Sequence, residues 1–450
     1  MIDRQGILCP RSESSRTASH AFGDCHPIDR VMNSNYELLP LTSAGFIPSV
    51  GFALAAFVSS CGGSSALEPN KRNLLLVTID TVRVDHLGAY GYELAKTPSI
   101  DALAERGVVF EQAYTPAPMT LPAHSTMMTG LLPPEHGARV NGVHKLDDEI
   151  MTLAERLSAN GYRTGGFVAA FVLNAQFGLA QGFDFYDDDL SDAYEQDVEN
   201  GLAKYRPGNQ VVDSALEWLK QGDGAKPFFA WVHMYDAHYP WHSHGAGDEN
   251  DDRANYDAEI TFVDQQYGRL ADWLYASGEQ DNTVVVVVAD HGEGLGDHHE
   301  IEHAYLLNEE VLHVPLIFAG PGSKAGHRVN ALVSLEDLQP TMLELLQVPV
   351  EPMHGRSLVT ALSGQAIESG ESYAETDLPW TSFRWAPQRS LTTAEWKYVR
   401  TPQIELYNRE TDLSEKANLA VARKKLAAEL EQRLTDLEAK LGSRSSTITS

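Results

Sequence analysis

The chain has 450 residues, 43% hydrophobic and 9% aromatic, enough for one large α/β domain or two ordinary ones around a substantial core. Its 63 acidic against 34 basic residues give a formal charge of −29, which excludes nucleic acid and bare anionic lipid as partners unless a cation reverses the sign within a cleft. All three cysteines, Cys9, Cys25 and Cys61, precede residue 62, so no disulfide framework holds the main domain.

In chain order the first feature is GFIPSVGFALAAFV, residues 45–58, an apolar run of signal-peptide length, too short and too Gly-interrupted for a membrane span. The following Val58-Ser59-Ser60-Cys61 resembles a bacterial lipobox, whose cysteine is lipidated and becomes the mature N-terminus. The segment after Met32 departs from this pattern in lacking a basic stretch ahead of the apolar run. The expectation is a leader over 1–61 with Cys61 as the lipidation site, and a Gly/Ser tether over 62–72. The protein is then exported to the bacterial cell envelope and lipid-anchored to the membrane, facing the periplasm.

From residue 73, short apolar runs alternate with amphipathic stretches, the pattern of strands and crossover helices in a largely parallel sheet. NLLLVTID (73–80) and TVVVVVAD (283–290) read as strands buried on both faces, each closing on an aspartate. KPFFAWVHMYDAHYPW (226–241) and VPLIFAG (314–320) read as further strands, and residues 151–160, 209–220 and 256–277 have helical periodicity. Ligands of such sheets bind beyond the carboxyl ends of the strands, where Asp80, Asp236 and Asp290 fall. A main domain over 73–365 then gives way, after the small polar ALSGQAIESGE, to a segment over 366–441 with hairpin strands at 389–408 and a helix within 412–441. Residues 442–450 form a disordered tail.

An aspartate ending a strand is often only a turn cap. Two such strands, the second running on into His291, instead bring two carboxylates and an imidazole to one sheet edge, a donor set for a divalent metal. Carboxylates alone suit Ca²⁺ or Mg²⁺; an added imidazole moves the preference to Mn²⁺ or Zn²⁺. In PMTLPAHSTMMTG (118–130), Pro122 marks a helix start, Gly130 its end, and Thr120 sits just before the first turn. Thr120 is either an N-cap or a nucleophile whose hydroxyl is a metal ligand. Of 17 histidines, His124, His136, His238, His291 and His303 fall near predicted strand ends, placed to hold the oxygens of an anionic ester and protonate its leaving group.

NLLLVTIDTVRVDHLGAYGY, the stretch TPSIDALAERGVVFEQAYTPAPMTLPAHSTMMTGLLPPEHGARVNG, DAHYPW, ADHGEGLGDH, NEEVLHVPLIF and WKYVRTPQIELYNRETDLSEKANLA resemble, in order, the signposts of the sulfatase branch of the alkaline phosphatase superfamily over residues 73–420. The resemblance implies an α/β/α sandwich with a large, mostly parallel mixed sheet and a small C-terminal antiparallel subdomain. It also implies a metal site that holds a nucleophile for sulfate or phosphate ester hydrolysis. Asp80, Asp290 and His291 match metal positions, and Thr120-Leu121-Pro122-Ala123-His124 occupies the C/S-x-P-x-R frame, which puts Thr120 at the nucleophile. Threonine cannot become formylglycine, and Cys25-His26-Pro27-Ile28-Asp29 lacks the arginine of that motif. Thr81 replaces the second aspartate of the family pair, His291 its asparagine, and Val168-Ala169 a catalytic Gly-Lys, so the chain is similar to the threonine-nucleophile subgroup. His238 matches a substrate-binding histidine and His303 a histidine of that subgroup.

The expectation is a single divalent metal, Mn²⁺ or Zn²⁺ rather than Ca²⁺ and without formylglycine, held by Asp80, Thr120, Asp290 and His291. Thr120 attacks phosphorus or sulfur to form a covalent ester, and water or an alcohol releases it. Catalytic roles fall to Thr120, His124, His238 and His303, with His136 and Asn141 binding substrate, a small anionic ester, glycan or lipid headgroup. No second metal cage is expected, because His238 follows Asp236 by two residues rather than four. The alternatives are a sulfuric ester hydrolase working through threonine, and an inactive metal-binding envelope lipoprotein that recognises anionic glycans.

Overall fold

The structure is a computed structural model and describes residues 71–191, 205–245, 250–442 and 444. The expected leader, Cys61, residues 62–70 of the tether and most of the tail lie outside the described residues. Among the described residues no helix is long and apolar enough to cross a membrane.

Among the described residues thirteen strands form two sheets: β1 Asn73–Ile79, β2 Gly107–Tyr114, β3 Arg163–Phe167, β4 Phe185–Asp187, β5 Phe228–Met234, β6 Thr283–Ala289, β7 His313–Ala319, β8 His327–Val329, β9 Val333–Ser334, β10 Ser372–Thr376, β11 Gln388–Thr392, β12 Trp396–Arg400 and β13 Glu405–Asn408. The large sheet runs β4-β3-β5-β1-β6-β7-β2-β8, with β9 also paired to β2. Every pair in it is parallel except those made by β7, which runs against β6 and β2. Every residue of β1, β5 and β6 is buried, because helices cover both faces and leave no position for a polar alternation. Helices Pro98–Arg106, Gly208–Lys220 and Asp252–Ser277 pack together as one layer, and Thr120–Thr129, Leu153–Ala159 and Leu338–Leu345 group separately as the other. The result is the expected α/β/α sandwich.

β1 lies between β5 and β6, with Ile79 opposite both Met234 and Ala289, so the three strands end level and Asp80, Asp236 and Asp290 leave the sheet along one edge. β5 stops at Met234, seven residues short of the strand expected to reach 241: Asp80 N–H donates to the Met234 carbonyl at 2.9 Å, and the chain then turns. Trp241 Nε1 closes that turn on the Ala237 carbonyl at 3.1 Å.

The second sheet, β10-β11-β12-β13, is antiparallel, and helix Lys424–Leu441 packs on it through Leu430 and Leu434. The helix begins twelve residues later than the start of the charged 412–441 stretch, whose first part is turn. Both sheets belong to one compact unit, Ser65–Ser450. Arg139 makes a two-pronged pair with the buried Glu375 of β10 at 2.5 and 2.7 Å, and Lys397 of β12, fully buried, pairs with Glu415 at 2.7 Å. The small sheet also supports the sheet edge where the aspartates emerge. Thr376 Oγ1 donates to the Ala304 carbonyl at 2.5 Å, and Glu375 N–H to that of Pro116 at 2.9 Å.

Candidate active site

Thr120 is the first residue of its helix rather than its cap. Met119, extended at φ −151° and ψ 141°, occupies the cap position and offers no side-chain hydrogen bond. The capping task falls to Asn141, whose Oδ1 accepts the Leu121 N–H at 2.9 Å. The Thr120 hydroxyl is thereby released from the helix and points to Asp80 Oδ2 at 3.4 Å. Gly130 ends the helix at φ 67°, as expected.

The turn after β1 is strained where it matters. Thr81, β-branched, sits at φ 57°, in the left-handed region such residues avoid. It is held by Tyr256, whose hydroxyl donates to the Thr81 carbonyl at 2.7 Å and accepts the Arg83 N–H at 2.9 Å. Its own N–H meets Asp290 Oδ1 at 3.3 Å, which locks the β1 and β6 turns together.

Asp80, Asp290 and His291 are fully buried, and Asp80 Oδ1, Asp290 Oδ2 and His291 Nε2 have no hydrogen-bond partner. These three atoms lie within 4.8 Å of one another, with His291 Nε2 at 3.7 Å from Asp80 Oδ1 and 3.5 Å from Asp290 Oδ2. Ligand atoms around a tetrahedral ion at ~2.1 Å stand roughly 3.4 Å apart, so the group fits a divalent cation. His291 Nδ1–H donates to the Gly292 carbonyl at 3.0 Å, fixing the tautomer that turns the Nε2 lone pair inward. Burial pushes the carboxyls of Asp80 and Asp290 up to about 7 and His291 down to about 3, the signature of charges held out of water with nothing to compensate them.

The other histidines divide into those above the reaction edge and those behind it. His303 Nδ1 donates to the buried Glu293 at 3.0 Å, and its ring lies 4.3 Å from that of His291 and 4.9 Å, edge-on, from that of His238. His238 Nδ1–H donates to the Tyr239 carbonyl at 2.6 Å while Tyr235 stacks on its face at 4.3 Å. His124, expected to reach substrate, lies beneath Thr120 with no exposed surface. Its Nδ1–H donates to the Thr120 carbonyl at 2.8 Å, and Nε2 accepts from Thr78, which in turn accepts Trp231 Nε1 at 2.9 Å. Both ring nitrogens are spent on positioning because the helix residue four after Thr120 points back at the sheet. His136, expected to bind substrate, is also engaged elsewhere, Nε2 with Thr126 at 3.1 Å and Nδ1 accepting the Ala138 N–H at 3.1 Å. Asn141, assigned the same role, caps the helix that Thr120 begins.

Sequence reasoning passed over His233, Glu293 and Arg83. His233 Nε2 lies 3.3 Å from Asp80 Oδ2, and its Nδ1 accepts, at 3.4 Å, the N–H of Ala169, the position where the family resemblance expects lysine. Its signal was a histidine inside an otherwise apolar strand, WVHM, buried on both faces. Glu293 was legible as the one carboxylate in the small-residue turn HGEG. Arg83 holds that turn through the Glu293 carbonyl at 3.2 Å while pairing with Asp85 and Asp297.

The family model described as Sulfatase matches residues 72–348, and that described as N-sulphoglucosamine sulphohydrolase, C-terminal, matches residues 296–440. The chain is 26% identical over 433 residues to an ulvan-active sulfatase of Formosa agariphila, covering 84% of each chain. It is 24% identical to a Δ4,5-hexuronate-2-O-sulfatase of Bacteroides thetaiotaomicron, covering 80% of this chain and 86% of that one. Among solved structures, the phosphonate monoester hydrolase of Agrobacterium radiobacter superposes with a TM-score of 0.68 at 21% identity, over 84% of this chain and all of the other. A protein in complex with its substrate D-glucosamine-2-N,6-O-disulfate superposes with a TM-score of 0.69 at 19% identity, over 82% of this chain and 98% of the other. These superpositions establish a shared fold. The family model spans well over half the chain, including the sheet edge that carries the orphaned carboxylates and Thr120, and the protein belongs to the sulfatase family of metal-dependent ester hydrolases.

Proposed function

We propose that the protein cleaves phosphate, phosphodiester or phosphonate esters through Thr120. One observation carries this reading: the Thr120 hydroxyl meets Asp80 3.4 Å away at a point where three buried ligand atoms lack partners. Asp80, Asp290, His291 and Thr120 would hold a Mn²⁺ or Zn²⁺ ion, which supplies positive charge and lowers the pKa of a coordinated hydroxyl, from about 15.7 to about 7 in the case of water.

The chain's own residues do the rest. Thr120 passes its proton to Asp80 and its oxygen attacks the phosphorus; the bond to the leaving oxygen breaks, and that oxygen takes a proton from Nε2 of whichever of His238 and His303 has become an imidazolium on binding the anionic substrate. Water then attacks the phosphorus and gives its proton back to that Nε2 as the bond to Thr120 breaks, and Asp80 returns the threonine proton, which restores the hydroxyl. The imidazoles share the charge of the trigonal-bipyramidal state, because the first-turn N–H groups of Leu121 and Ala123 are taken by Asn141 and the Met119 carbonyl and Pro122 has none. His303 is oriented by Glu293 and His238 by the Tyr239 carbonyl, so each presents Nε2 rather than Nδ1. His124 and His233 hold Thr120 and Asp80 from behind.

The second reading, sulfate ester hydrolysis by the same threonine, is favoured by the names of the relatives, which are predominantly sulfatases. Purified protein loaded in turn with Mn²⁺, Zn²⁺ and Ca²⁺ is assayed on aryl phosphate, phosphodiester, phosphonate and sulfate. Higher kcat/KM on the phosphorus esters supports the first reading; a clear sulfate preference replaces it with the second. The third alternative, a metal-binding envelope lipoprotein without turnover, requires that Thr120→Ala leave every rate untouched.

A further inference from the structure

The short helix Leu378–Phe383 and the turn after it carry an exposed aromatic face. Trp380, Phe383 and Trp385 are 50, 52 and 64% exposed. The Phe383 ring lies 4.8 Å from that of Trp385 and stacks on Tyr305 at 5.8 Å, and Ile301, also exposed, stands on the loop that carries Tyr305. A contiguous apolar surface of this kind marks a place where something binds. It adjoins the reaction edge: Leu378 packs on the cluster of Met119, Val140 and Ala304, of which Met119 precedes Thr120 and Ala304 follows His303. Gln388 Nε2 ties the two loops together at the Tyr305 carbonyl, 2.9 Å away.

The charge of this stretch is the reverse of the chain's. LPWTSFRWAPQR, residues 378–389, holds two arginines and no acid, in a chain with 63 acidic against 34 basic residues. Arg389 is tied to Asp377 at 2.7 Å. Arg384 is exposed, makes no ion pair among the described residues, and lies 5.5 Å over the Trp380 ring. Acid enters only from the other loop, where Glu302 follows Ile301.

Three kinds of occupant make different demands. A small molecule needs a concavity that buries most of its surface, and these rings project from a turn. A second copy brings the same charge of −29, which repels. A zwitterionic bilayer carries no net charge, accepts tryptophan, tyrosine and phenylalanine rings at headgroup level, and presents phosphates to an unpaired arginine.

We infer that this face seats the protein on a lipid bilayer and that the ester cleaved is the phosphodiester of a lipid headgroup, brought to Thr120 from that surface. The substrate class rests on the reading of Thr120 as the reacting hydroxyl; the docking does not. Trp380, Phe383 and Trp385 enter the interface and Arg384 meets a lipid phosphate, while His303, two residues before Tyr305, stays with the reaction edge beside it.

The test uses the full chain carrying Cys61→Ser, which cannot be lipidated, mixed with phosphatidylcholine vesicles and followed by flotation. The protein floats with the vesicles, and Trp380→Ser, Phe383→Ser and Trp385→Ser combined lower its partitioning about tenfold or more without moving the melting temperature, because all three side chains are exposed. On vesicles containing phosphatidylethanolamine or phosphatidylglycerol the same triple variant loses about tenfold in the rate of headgroup release and keeps its kcat/KM on bis(4-nitrophenyl) phosphate in solution. Equal flotation of the triple variant, as binding through the apolar run 45–58 alone would give, overturns the docking. So does a concentration-dependent dimer of the parent protein that the triple variant loses. Turnover of the diester in solution with none on either lipid overturns the substrate class. Vesicle binding that the triple variant loses, in a protein that hydrolyses no phosphorus ester at all, leaves the face assigned and removes the reading of Thr120 instead.

Discussion

Thr120 Oγ1 and Asp80 Oδ2 stand 3.4 Å apart although forty residues separate them, because Asn141 takes over the capping of the helix that Thr120 begins. On the proposed reading of Thr120 as the reacting hydroxyl, the threonine is free for that role because another residue satisfies the helix terminus. Thr120→Ala is expected to lower kcat by about 10³-fold or more, Thr120→Ser to retain most of the rate, and both to keep the fold. Kinetics on aryl phosphate with thermal melting of each variant checks this; a fully active alanine variant defeats it.

Asn141→Ala tests the division of labour directly. Losing one cap costs about 1 kcal/mol of stability and gives the Thr120 hydroxyl a competing use in the uncapped first turn. The expected outcome is a lowered melting temperature together with a fall in kcat larger than the change in KM. Unchanged kcat at reduced stability would leave Asn141 a cap and nothing more.

His233 lies under Asp80 at 3.3 Å and touches no solvent. Partners of this kind typically cost ~10–100-fold in metal affinity or activity when removed. His233→Ala is expected to reduce bound metal, measured by elemental analysis after dialysis, and His233→Gln to recover part of it. Equal metal content in the alanine variant and the wild type contradicts a positioning role.

Metal-free protein should lose stability as pH rises above neutrality. Burial lifts Asp80, Asp290 and Asp236 from 3.8 to about 7, so between these values the native state binds more protons than the unfolded chain. Their contribution is complete below the unfolded value and lost as pH passes through the folded one. Melting temperature in chelator is therefore expected to fall from pH 7 to pH 8, above the range in which the buried histidines, His291 among them lowered from 6.5, act in the opposite direction, and added Mn²⁺ or Zn²⁺ to restore more of it at pH 8, where the carboxylates are free to bind. A pH-independent metal response would rule out carboxylate ligation at this site.

Arg139 joins the sandwich to the small sheet through Glu375, which is 1% exposed. Arg139→Met leaves that carboxylate short of one partner, although Arg389 remains at 3.5 Å. The expected cost is roughly 3 kcal/mol by denaturant unfolding. Adding Glu375→Gln should return part of it, and additive losses in the double variant would argue against direct pairing.

The sequence by itself determined the large sheet, its buried central strands and the edge at which Asp80, Asp290 and His291 emerge, because continuous β-branched runs closing on aspartate leave few alternatives. It also supplied the helix from Thr120 to Gly130 within a residue. Tertiary structure alone decided which way each imidazole turns. His124 and His136 face inward because helix phase and neighbouring hydroxyls claim their nitrogens, whereas His303 faces the edge because Glu293 anchors its far side. His233, silent in the sequence, became a partner of Asp80 only once β5 paired beside β1. Hydrogen-bond direction depends on contacts between residues distant in the chain, and local pattern carries no record of it.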